Sequence, residues 1–237
     1  MRAATRNKAE AVLIVFAKAP VPGRVKTRLA PLLGSEGAAR LHAELVERAV
    51  ATAAAAGSVA VELHAAPHAR SRYFQGLARR YRVRLRAQTK RGLGERMRDA
   101  LARALHGAEA AVLIGADCPV LRPADLRRAV RLLHSGADAV FAPTEDGGYA
   151  LIGLRRISAR LFSGIEWGGA TVMAETRKRL RRLGWRWREL RTVWDVDRPE
   201  DYFRLKRLRL PLPSSAAPRP VPRSDGIPAR WDGSHRT

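Results

Sequence analysis

The chain has 237 residues, 46% of them hydrophobic, so it can bury a core of ordinary domain size, and one domain with appendages fits the length. Its formal net charge of +23 would draw any polyanion. Yet only six of the 45 basic residues are lysines, the arginines are scattered, and no nucleic-acid-binding module is recognisable, which weighs against nucleic acid as the partner. The lone Cys118 excludes an internal disulfide, and the absence of paired Cys/His spacing weighs against zinc.

Residues 1–10 read as a short N-terminal extension. The apolar run 11–17, "AVLIVFA", is short, and Lys18 and the following prolines break it without a small-residue cleavage site. No segment reaches the roughly 18 apolar residues of a membrane span, so a cytoplasmic protein is expected. The run itself reads as a first strand, followed by the basic loop "FAKAPVPGRVKTRLAP", 16–31. This loop is either a cradle for an anion or a solvated turn. A helix follows, capped by Gly34 or Ser35, with Leu41, Leu45 and Val46 as its apolar stripe.

"SVAVELHAA" and "YRVRLRAQ" are the second and third strands, the latter alternating as a strand with one wet face does. "GLGERMRDALARAL" is a glycine turn entering a helix, and "AAVLIGAD" a strand that stops at Asp117. "RPADLRRAVRLLHSG" is a helix with Pro123 in its first turn and Gly136 near its end. Then come strand, turn and strand in "ADAVFAPTEDGGYALIGL", a helix in "GGATVMAETRKRLRRLG", a strand in "WRWRELRTVWDVD", and a helix in "RPEDYFRLKRLRL" whose acidic start and basic end suit the helix dipole. Strands alternating with helices predict an α/β fold with a mostly parallel central sheet and helices on both faces. From Pro211 the composition turns to Pro, Ser, Arg and Gly, so 211–237 is expected to be a disordered tail and 11–210 the folded domain.

Open α/β sheets bind ligands outside the carboxyl ends of their strands, which directs attention to four polar stretches. In the first, Gly23 permits close backbone approach, while Lys26 and Arg28 could neutralise phosphate. In the second, Asp117 sits where a carboxylate could hold Mg²⁺ or Mn²⁺, or could serve as a turn former, and Cys118 reads as a small buried residue. In the third, "PTEDGGYALIGL", two glycines form a turn and Tyr149 offers a ring and hydroxyl; a plain hairpin is the local alternative. In the fourth, Asp195 and Asp197 alternate at a strand end, and either could complete a metal site with Asp117. Otherwise Asp197 caps the next helix.

Taken in order, "FAKAPVPGRVKTRLAP", "GLGERM", "GADCP", "DGGYALIGL" and "DVDRPEDY" resemble the bacterial transferase family associated with radical-SAM/selenodomain proteins, and the resemblance spans residues 11–207. It implies a Rossmann-like GT-A, or nucleotide-diphospho-sugar transferase, fold. At greater distance the chain is similar to the molybdopterin-cofactor and phospholactate guanylyltransferases.

The resemblance makes Gly23, Arg24, Lys26, Thr27 and Arg28 the phosphate-side loop, and Gln88, Gly92 and Gly94 nucleotide-binding candidates. It makes Asp117 and Asp197 the ligands of a divalent cation, Mg²⁺ or Mn²⁺, with Asp195 as the alternate. Asp146, Gly147, Gly148, Tyr149 and Trp167 fall on the sugar or acceptor side. Two departures concern the acceptor: "EWGGATV" stands where a Ser-Thr pair follows the Trp, and Val120 where an acid is common.

The implied activity is metal-dependent transfer from a nucleotide-activated donor to a small-molecule acceptor, with Lys26, Arg28 and Asp117 as the catalytic set. Glycosyl transfer is the favoured type and nucleotidyl transfer the alternative. Readings of another class are a non-catalytic nucleotide-binding module and a basic nucleic-acid-binding protein.

Overall fold

In the computed structural model, which describes residues 8–57, 59–89, 91–208 and 210, helices and strands alternate from the start. The chain runs β1 (Ala9–Lys18), α1 (Ala30–Ala54), β2 (Ala60–Ala66), α2 (Arg72–Tyr81), β3 (Arg84–Ala87), α3 (Leu93–Gly107) and β4 (Ala108–Gly115). It continues as α4 (Pro123–His134), β5 (Ala139–Pro143), β6 (Tyr149–Leu154), α5 (Val172–Arg182), β7 (Trp187–Glu189) and α6 (Pro199–Arg207). The strands form one seven-stranded sheet in the order β3-β2-β1-β4-β6-β5-β7. The pairs β1/β2, β1/β4, β2/β3 and β5/β7 are parallel.

Strand β6 alone runs against its neighbours β4 and β5. The cause is local: β5 and β6 are joined by a short turn, and a connection of that length closes only an antiparallel hairpin. From β1 the chain builds outward through β2 and β3, then returns to place β4 on the other side of β1. The carboxyl ends of β1 and β4 therefore flank the topological switch point, where open α/β sheets leave a crevice.

Both faces of the sheet are covered. Leu13 and Val15 of β1 pack with residues of α1, α2 and α4, whereas Ile14 and Phe16 pack with residues of α3 and α5. Burial on both sides is why β1 reads as an unbroken apolar run. A smaller cluster of Leu29, Leu41, Leu45, Trp194 and Val196 ties the segment before α6 to α1.

Several boundaries shift. β1 starts at Ala9, which pairs with Ala108, so residues 9 and 10 belong to the sheet and not to an extension. α1 begins at Ala30 but is broken by Gly34 (φ 68°, ψ 164°), and its regular part starts where the Gly34/Ser35 cap is expected. β7 covers only Trp187–Glu189; the rest of its predicted strand pairs through a single Thr144–Val193 bridge. The cap of α6 is Arg198, not Asp197, because the Asp201 carboxylate accepts hydrogen bonds from the Arg198 (2.8 Å) and Asp197 (3.0 Å) amides. The predicted tail, 211–237, lies outside the described residues. Among the described residues no helix is long and apolar enough to cross a membrane.

Candidate active site

The loop after β1 turns back on itself at the switch point. Lys18 Nζ donates to the Arg24 carbonyl (2.7 Å), and Gly23 takes the left-handed conformation (φ 72°) that the reversal needs. Lys26 is also left-handed (φ 48°, ψ 40°), which for a residue with a Cβ costs about 1 kcal/mol. This conformation turns its side chain inward. Only 6% of that side chain is exposed, and Nζ lies 2.5 Å from Asp117 Oδ1.

Asp117 lies just past the end of β4, and its carbonyl accepts a hydrogen bond from the Val196 amide (2.9 Å). That bond lays the segment around Asp195 beside Asp117. Burial pushes the Asp195 carboxyl up to about 6, with the negative Asp146 and Asp117 adding to the effect and its own backbone amide and Lys26 opposing it. Asp146 is fixed from within its turn: Oδ1 accepts from Thr144 Oγ1 (2.5 Å) and from the Gly148 amide (3.0 Å).

These groups line a cleft of about 920 Å³. Lys18 and Arg24 stand at its β1 side, Asp117, Asp146 and Asp195 at the end of β4, and Tyr149 and Trp167 at an aromatic end. Tyr149 contacts Phe141 and Trp167 edge to face, and Trp167 stacks on Phe162. Burial raises the Tyr149 hydroxyl well above the usual phenol range.

Of the residues singled out by sequence, Arg24, Gln88, Asp117, Asp146, Gly148, Tyr149, Trp167 and Asp195 line this cleft, and Lys26 reaches it through Asp117. Arg28 and Asp197 instead pair with each other at 2.5 Å, with side chains 64% and 39% exposed, and do not line the cleft. Thr27 is exposed in the short 3₁₀ turn before α1.

The glycines act through packing. Gly92 precedes α3 as its cap, and a Cβ on Gly94 would meet Trp167 Nε1 at 2.3 Å. A Cβ on Gly147 (φ 89°) would meet the Ala170 carbonyl oxygen at 1.9 Å. Gln88 is committed to the sheet: Nε2 donates to the His64 (2.8 Å) and Ala17 (3.3 Å) carbonyls, and Oε1 accepts from Arg96 (3.0 Å). Cys118 is buried and its thiol is pushed up to about 11 by that burial, which suits packing and not nucleophilic attack.

Sequence reasoning did not single out His42, Thr89, Arg91 or Arg96, all of which line the cleft. His42 carried a signal, because it interrupts the buried helical face formed by Ala38, Leu41, Leu45 and Ala49. Its Nε2 is 3.0 Å from the Lys18 carbonyl, which in the neutral ring makes Nε2 the donor and leaves the lone pair on Nδ1. Burial lowers its pKa, the nearby Asp117 opposing. Nδ1 is buried without a hydrogen-bond partner, 3.8 Å from Asp117 Oδ1.

A hard divalent cation needs one or two carboxylates plus substrate oxygens. Asp117 Oδ1 is buried and accepts no hydrogen bond of good geometry, and Asp195 lines the same cleft beside it. The pair Asp117 and Asp195 fits such an ion; Asp197, held by Arg28 away from the cleft, does not. Among the described residues no group of three or more His, Cys, Asp or Glu is arranged to hold a metal by protein ligands alone.

No curated protein matches the chain significantly in sequence. Among solved structures, a Desulfovibrio desulfuricans protein provisionally named a nucleotide-diphospho-sugar transferase is 30% identical, with a TM-score of 0.77 over 85% of this chain and 88% of that one. A nucleotidyl transferase from Methanothermobacter shares the fold at 15% identity (TM-score 0.54, 84% of this chain and 96% of that one). So does CMP:2-keto-3-deoxy-manno-octonic acid synthetase in complex with CTP, at 12% identity (TM-score 0.52, 84% and 97%). The fold is thus that of the nucleotide-diphospho-sugar transferases. Residues 49–169, from α1 to just past Trp167, match a family model, and the chain belongs to that family, described as an uncharacterized protein conserved in bacteria (DUF2064).

Proposed function

We propose that the chain is a transferase that uses a nucleotide-activated donor, and that the reaction is glycosyl transfer from a nucleotide-diphospho-sugar to a small-molecule acceptor. The observation that carries this reading is the division of charge across the switch point. Lys18, Arg24 and Lys26 come from the β1 loop, and Asp117, Asp195 and Asp146 from the other side of one cleft. A diphosphate and its cation need both signs of charge in one cleft. The relative of 30% identity named for this chemistry supports the donor class.

In this reading Asp117 and Asp195 hold Mg²⁺ or Mn²⁺, which would supply charge neutralisation to the leaving diphosphate. Lys26, Lys18 and Arg24 bind the phosphate oxygens and stabilise the charge that builds there as the sugar departs. Arg96 and Gln88 flank the nucleotide side, and Trp167 gives the sugar or acceptor an apolar face, with the Asp146 carboxylate beside it. Cytoplasmic placement, and a domain of 9–210 followed by a tail, are part of the same proposal.

The test is incubation with a panel of nucleotide sugars and nucleoside triphosphates in Mg²⁺ or Mn²⁺. Release of a nucleoside diphosphate from a nucleotide sugar is the expected result. Pyrophosphate released from a triphosphate, with every nucleotide sugar intact, would replace glycosyl with nucleotidyl transfer. Metal-dependent nucleotide binding without turnover of any donor would leave a binding module.

A further inference from the structure

The Lys26 ammonium already pairs with the carboxylate that the proposed cation would need. Nζ sits 2.5 Å from Asp117 Oδ1, the buried oxygen of that carboxylate. A divalent cation binds a carboxylate oxygen at about 2.0–2.6 Å, so an ion on either oxygen of Asp117 would lie close to the like charge of the ammonium on Oδ1. The lysine is held there by design of the backbone: a left-handed φ of 48° at a non-glycine residue, and a side chain 94% shielded from solvent. His42 Nδ1 lies 3.8 Å from that oxygen, beyond hydrogen-bond distance.

We propose that Lys26 is a built-in plug on Asp117, displaced only when donor phosphates offer its ammonium a second anion, so that divalent cation and nucleotide bind as a pair. Lysine suits the task, because its flexible stem carries a point charge from one anion to another without a fixed fork geometry. Asp117 would then hold the cation and the ammonium would pair with phosphate. Each ligand raises the affinity of the other through the same displaced contact, and the coupling is reciprocal. The proposal rests on the nucleotide and metal reading above, but its test separates the two.

The test is Mn²⁺ titration followed by electron paramagnetic resonance, with the full chain, first with the ion alone and then with each common nucleoside diphosphate at saturation. The wild type should bind Mn²⁺ at least tenfold more tightly with its nucleotide than without. Lys26→Met should raise the affinity for Mn²⁺ alone at least tenfold and reduce the coupling factor toward one. Lys26→Gly keeps the left-handed backbone without strain and should do the same, covering the case in which the methionine variant folds poorly. Adding Asp117→Asn to Lys26→Gly should abolish the gain.

Unchanged or weaker binding of Mn²⁺ alone by a folded Lys26 variant would overturn the plug, even if the wild type binds nucleotide. Failure of every nucleotide to bind, with the gain in Mn²⁺ affinity still seen, would overturn the transferase reading and the paired binding, and leave Lys26 only as a block on the cation site.

Discussion

Two carboxylate clusters in this molecule are pushed in opposite directions. In the cleft, Asp195 is raised to about 6 by burial and by the neighbouring Asp146 and Asp117. Under the sheet at β2 and β3, Glu62 is lowered to about 2: burial works against the charge there, but hydrogen bonds from His64 (2.9 Å) and Arg86 (2.8 Å between Nε and Oε1) outweigh it. The second cluster pairs its carboxylate with cationic and hydrogen-bonding partners of its own. The first is raised chiefly by burial, in a cleft that basic residues also line, and a carboxylate raised in a cleft marks a candidate functional site where the lowered Glu62 marks a structural ion pair.

The largest effect that would break this contrast is at Asp117. Asp117→Asn should lower turnover by about 10²–10³-fold, the range seen when a group stabilising transition-state charge is removed, and should abolish metal-dependent nucleotide binding in calorimetry. Retained binding would put the cleft on the same footing as Glu62. Lys26→Met should weaken nucleotide binding about tenfold or more, read from the same isotherms.

Glu62→Gln should instead cost stability and leave transfer intact. The sign follows from the lowered pKa: the native state holds the proton less readily than the unfolded chain, so the contribution is present above pH 4.5 and is lost as pH falls toward 2. Discounted for the partly exposed arginine, it is worth about 1–2 kcal/mol. Denaturant melts of wild type and variant should therefore differ near neutral pH and converge in acid. The smallest effect should come from Arg28→Met or Asp197→Asn, below about 1 kcal/mol in stability and with nucleotide affinity nearly unchanged, because that pair is exposed and does not line the cleft.

Much of this was legible in the sequence. The strands of β1 and β4 announce themselves as apolar runs, and the polar residues just past them, Lys26 and Asp117, do meet. What the spacing could not settle was which member of each pair faces inward. Lys26 and Arg28 are two residues apart, as are Asp195 and Asp197, and that spacing means one face only in a regular strand. Here the first pair spans a left-handed residue and a 3₁₀ turn, and the second follows a segment with one isolated bridge to the sheet, so Lys26 turns to Asp117 and Asp195 lines the cleft, while Arg28 and Asp197 turn to each other.

His42 and Arg96 went unnoticed because they ride on helices, where attention to strand ends does not look. Tyr149 shows a different limit. It stands at the start of its strand, and it reaches the cleft because β6 lies antiparallel beside β4; the short turn implies the hairpin with β5, but no local pattern places β6 next to β4.

Gly94 and Trp167 give the aromatic end of the cleft a mechanical character. The indole rests where a side chain at the second residue of α3 would otherwise stand, so the wall that carries Trp167 and the floor formed by α3 are in direct contact there. A single methyl group at position 94 would drive the ring into the space proposed for the sugar or acceptor. Substrate size could therefore be retuned at this position without altering any charge in the site, which makes the absence of a side chain the adjustable part of the binding surface.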